Sequence, residues 1–84
     1  MATEFIVLCG QVVGSGPFVV EYGFDGERFE VRKEAIRHGF KARGSGDFNI
    51  GVLEAGQLVS LDWMEKPVDT DMGLMAEIAN QIGL

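Results

Sequence analysis

Five short runs rich in β-branched and aromatic residues, each closed by a turn signal, restrict this chain to a small β-rich architecture. Residues 5 to 13, FIVLCGQVV, are apolar almost throughout, which suits a strand covered on both faces. Gly14-Ser15-Gly16-Pro17 then forces a turn. In the second run Phe18, Val20, Tyr22 and Phe24 alternate with Val19, Glu21, Gly23 and Asp25, the pattern of a strand with one buried face. Asp25-Gly26 signals a hairpin, so a returning strand is expected with Phe29 and Val31 inside and Arg28, Glu30 and Arg32 outside. The last two strands are predicted at 48–53 and 58–64, joined by the turn Glu54-Ala55-Gly56-Gln57. In the final strand Val59, Leu61 and Trp63 are expected on one face, Ser60 and Asp62 on the other.

Two stretches read as helical. Lys33 to His38 contains helix formers but spans little more than one turn before Gly39, so a single helical turn is predicted, followed by a mobile loop from Lys41 to Asp47. After Lys66-Pro67, the carboxylates of Asp69 and Asp71 suit a helix start. Leu74, Met75, Ile78, Ala79 and Ile82 form an apolar stripe at helical spacing, which predicts a helix over 71–82. A helix this short is marginal alone, so the stripe must pack on the chain's own barrel or on a partner or second copy. For the second outcome the interface would be Leu74, Met75, Ile78 and Ile82, and the methionines Met72 and Met75 would suit an adaptable surface.

The expected fold class is therefore mainly β: one domain over 1–84, with a small five-stranded antiparallel barrel at about 3–64, a helical turn and a C-terminal helix. At 84 residues there is room for one compact core. No apolar run approaches a membrane span, and the N-terminus lacks the basic region of a secretory signal, so the expected compartment is the cytoplasm, of a cell or of a virus-infected cell. Cys9 is the only cysteine and sits in an apolar run, which implies a buried, inert thiol and excludes an intrachain disulfide. His38 is the only histidine and lies among basic residues, where neither a nucleophile's base nor a metal ligand is expected. The loops GSGPF and GSGDF lack the further residues of phosphate-binding motifs, and the carboxylates at 69–71 lack calcium-loop spacing. An enzyme, a cofactor and a metal are accordingly not expected.

Charge is distributed unevenly. The net charge is −6, yet six of the seven basic side chains, Arg28, Arg32, Lys33, Arg37, Lys41 and Arg43, fall between positions 28 and 43. That stretch has a net charge of +4 and the remainder −10, so the molecule is expected to present a basic stripe on an acidic body.

The order of turns resembles the cold-shock domain, a small OB-fold barrel. The likeness is carried by Gly26-Glu27-Arg28-Phe29-Glu30-Val31-Arg32-Lys33-Glu34-Ala35-Ile36, by His38-Gly39-Phe40, and by Leu53-Glu54-Ala55-Gly56-Gln57-Leu58-Val59-Ser60-Leu61. It covers about half the chain, and an SH3-like barrel is the competing fold. The resemblance implies single-strand binding by base stacking on outward aromatic residues of the second and third strands. The corresponding positions here are Pro17, Val19, Glu30, Arg32 and Lys33, none aromatic.

Two functions follow as expectations. The first is a non-enzymatic regulatory or adaptor module that binds another protein, of the kind a phage or mobile element uses as an inhibitor. It would use Arg28, Arg32, Lys33, Arg37, Lys41 and Arg43, with the terminal helix as a second surface and a homodimer left open. The alternative is single-stranded nucleic-acid binding through the basic segment 28–43, opposed at long range by the acidic remainder.

Overall fold

The computed structural model describes residues 2–13, 19–44 and 47–84. The expected turn at Gly14 to Pro17 and the expected inward Phe18 lie outside the described residues. The elements run β1 (Thr3–Val13), β2 (Val19–Gly23), α1 (Arg32–Arg43), β3 (Asn49–Glu54), β4 (Gln57–Trp63), β5 (Lys66–Asp69) and α2 (Met72–Ile82). The strands form one antiparallel sheet in the order β2-β1-β3-β4-β5.

The mainly β class and the five antiparallel strands agree with the sequence reading. The sheet is open, however, because among the described residues no pairing joins β2 to β5. Helices covering both faces remove the need for closure. Along β1, Ile6 and Leu8 pack with Leu53, Leu58, Leu61, Met75 and Ile78 beneath α2, whereas Val7 packs with Ala35, Phe48 and Ile50 beneath α1. Alternate residues of one strand thus serve opposite cores. This is why 5–13 reads as a nearly continuous apolar run.

Three element assignments differ from expectation. The segment expected as the third strand makes only an isolated bridge, Phe5 to Phe29, and the chain then enters α1 at Arg32. Instead of one turn, α1 has 12 residues and passes through Gly39. Phe48 explains the passage: a Cβ at Gly39 would stand 2.3 Å from its ring, so the glycine lets the ring sit against the helix backbone. The helix ends at Gly44, which adopts the left-handed conformation (φ 74°) and donates its N–H to the Phe40 carbonyl. Lys41, Ala42 and Arg43, expected in a mobile loop, are therefore helical. Lys66-Pro67, read as a connection, opens β5, and Pro67 is tolerated because β5 is an edge strand.

β4 also departs from strict alternation. The pairing shifts from Val52–Ser60 to Leu53–Leu58, leaving Val59 as the extra residue of a bulge. Leu58 and Leu61, three residues apart, consequently share the α2 side. Asp62 points the other way, as expected, but into the α1 side of the structure rather than solvent, and is only 2% exposed. Trp63, expected on one face with the buried Leu61, is 53% exposed.

α2 begins where its sequence said it would. Asp71 is the N-cap, its carboxylate accepting from the Leu74 N–H at 2.9 Å. The stripe Leu74, Met75, Ile78 and Ile82 packs on the chain's own sheet: Met75 and Ile78 are fully buried, and Leu74 and Ile82 are half-buried against the same cluster. Burying side chains of this size contributes about 1.5–3 kcal/mol each, which is what an 11-residue helix needs to persist. These four residues are a core seam: of the two outcomes the sequence left open, packing on the chain's own sheet is the one observed, and the alternative of a helix interface built on them is corrected accordingly.

Candidate binding surface on the first helix

The six basic side chains of 28–43 separate into two sets once their partners are placed. Arg28 reaches Glu4 at 3.4 Å, Arg43 reaches Asp47 at 3.6 Å, and Arg32 reaches Asp62 at 2.7 Å. Arg32 is held further by the Met64 carbonyl at 3.0 Å and by the ring of Phe5, 4.8 Å below its guanidinium. Asp62 also accepts from the Ser60 hydroxyl. Removing Arg32 would leave a buried carboxylate without its counter-charge, so this arginine fastens α1 to β4 and is not an outward contact. Lys33, Arg37 and Lys41 are exposed and make no ion pair among the described residues.

Helical geometry brings those three together. Residues advance about 100° each around an α-helix, so Lys33, Arg37, Phe40 and Lys41 fall within a wedge of about 100°, with Arg37 near its centre. Ala35 and Gly39 point away from that wedge, toward the sheet. The line from Lys33 to Lys41 is about 12 Å long. Phe40 is 45% exposed, and its ring meets Phe48 edge to face at 5.3 Å, which fixes its orientation. Glu34, exposed at the border of the wedge, sits in the first turn where a negative charge favours the helix dipole, and Lys41 and Arg43 do the same in the last turn.

His38, on the flank of α1, bonds Asp25 through Nε2 at 2.6 Å and stacks obliquely on Phe29 at 5.1 Å. It thereby ties the segment between β2 and α1 to the helix. Burial pushes the Asp25 carboxyl up, but the hydrogen bond and charge of His38, with the Glu27 N–H at 2.9 Å, outweigh it and hold the carboxyl below its ordinary value of 3.8. Among the described residues no group of three or more His, Cys, Asp or Glu side chains could hold a metal ion, and no helix is long and apolar enough to cross a membrane. Cys9 is half-buried against the α1 core.

Sequence reasoning placed the basic segment but not its division. Phe40 was missed as a surface residue because it joins the Arg37 face only if the helix continues past Gly39. Asp62 was missed as the anchor of Arg32 because the two lie 30 residues apart. No family model, curated protein or solved structure matches this chain.

Proposed function

We propose that the protein is a non-enzymatic binding module that docks through the outer face of α1 on an acidic element of another protein. The observation that carries this reading is the grouping of three α1 cations that make no ion pair among the described residues, Lys33, Arg37 and Lys41, around a half-exposed, pre-oriented Phe40. Arginine and aromatic residues are the side chains most enriched at the energetic centres of interfaces, with lysines suited to the rim. α1 carries five basic and one acidic side chains while the rest of the chain has two basic and twelve acidic, so the surrounding field orients an acidic partner toward this one helix. Binding alone would make the module regulatory wherever the covered surface is one its partner uses.

Single-stranded nucleic acid is the second reading, favoured by Phe40 as a stacking platform. Three phosphate contacts would give a slope of only about −2 in log affinity against log salt, weak support against a remainder of −10.

The test is affinity capture from the native host with the wild type, the triple variant K33E/R37E/K41E and the control E77K on α2. A protein retained by the wild type and the control, and depleted at least ~10-fold by the triple variant, is the expected result. A labelled oligonucleotide bound at about 50 mM salt and released by the same triple variant would instead establish the nucleic-acid reading.

A further inference from the structure

The outer face of α1 is small and has a definite relief, and we infer that its partner element is an acidic amphipathic α-helix. This rests on the reading of α1 as the docking face. The face is about 18 Å long and about 10 Å across, far below the roughly 800 Å² that each partner contributes to a standard protein interface. A single helix matches it; a broad flat surface does not.

The relief points the same way. Lys33, Arg37 and Lys41 form one i, i+4 ridge, and Ile36 and Phe40 form the next. The groove between them is bordered on one side by the three exposed cations and on the other by the partly buried Ile36 and the half-exposed Phe40, so positive charge lies on one side only. An i, i+4 ridge of a second helix fits such a groove at an axial separation of roughly 8 to 10 Å. Apolar residues of that ridge would meet Phe40, and carboxylates on its flank would meet the three cations at matching spacing of about 6 Å.

The experiment is fluorescence anisotropy with a capped, alanine-based helical peptide that carries glutamates at successive i, i+4 positions and leucines on the adjoining ridge. Two controls have the same composition, one with a central proline that breaks the helix, the other with the glutamates spread around it; an oligodeoxythymidine is the third probe. The ordered helical peptide is expected to bind at least ~10-fold more tightly than either peptide control, to lose at least ~10-fold on R37E and to lose about fivefold on F40A. Equal binding of the proline peptide would overturn the helical partner while leaving an acidic protein partner standing. Preference for the oligonucleotide would overturn both. Absence of binding by every probe at about 50 mM salt overturns the helical partner alone, since affinity capture reports separately on the broader reading.

Discussion

Arg32, in the first turn of α1, holds Asp62 of β4 at 2.7 Å beneath the helix and keeps a nearly inaccessible carboxylate paired. Breaking such a pair from one side is costly because the remaining charge stays desolvated. R32A is expected to lower stability by about 3 kcal/mol, read as a fall in the urea midpoint at constant slope. The double variant R32M/D62L is expected to recover most of the loss, since apolar replacements of similar volume often match a buried ion pair. Equal losses in the single and double variants would contradict this account.

Gly39 is the second point where α1 is fixed to the sheet. Alanine at a helix interior ordinarily gains about 1 kcal/mol over glycine. Here a Cβ would meet the Phe48 ring at 2.3 Å, so G39A is expected to destabilise by about 1–3 kcal/mol instead. F48L should relieve part of that cost in the double variant, and chemical denaturation of the four proteins forms the cycle that checks it.

Ala55 gives a change of opposite sign. It is exposed in the β3–β4 turn at φ 51°, in the left-handed region where a Cβ is strained. A55G is expected to raise stability by about 0.5–1 kcal/mol, visible as a higher thermal midpoint.

At the start of α2, D71A removes the acceptor for the Leu74 N–H and is expected to cost about 1 kcal/mol. D71N should lose much less, and amide exchange at Leu74 reports the cap directly.

The Asp25–His38 contact sets an acid-side prediction. The folded carboxyl of Asp25 lies below its ordinary value, so its contribution is complete above about pH 4 and disappears as the pH falls through the lowered folded value. Asp25 is about half exposed, which limits the contribution to about 0.5 kcal/mol. The stability difference between wild type and D25N should therefore shrink as the pH falls below about 4. A difference that grows over that acid range would reverse the sign argued here.

How much of this was legible beforehand depends on where each cause lies along the chain. The Asp71 cap with its apolar stripe, and the Ala55-Gly56 turn between two apolar runs, are local signals, and α2 and the β3–β4 hairpin appear where those signals put them. The extension of α1 was not legible, because a glycine inside a short helical pattern reads as a stop unless the ring that needs its missing Cβ is known. Phe48 lies nine residues further on, across the end of the helix. The face of Asp62 followed from alternation; its burial did not.

The sequence alone settled the features whose causes are local, because propensity, capping and turn chemistry act over a few residues: apolar strands, a capped terminal helix and a segment dense in positive charge. Tertiary structure decided which of those charges are spent. Arg28, Arg32 and Arg43 meet carboxylates brought to them by strand pairing and chain path, while Lys33, Arg37 and Lys41 turn away from the sheet with Phe40. Coulomb attraction falls off with distance and is screened by water, so only the folded separations distinguish a cation that fastens the fold from one left to a partner.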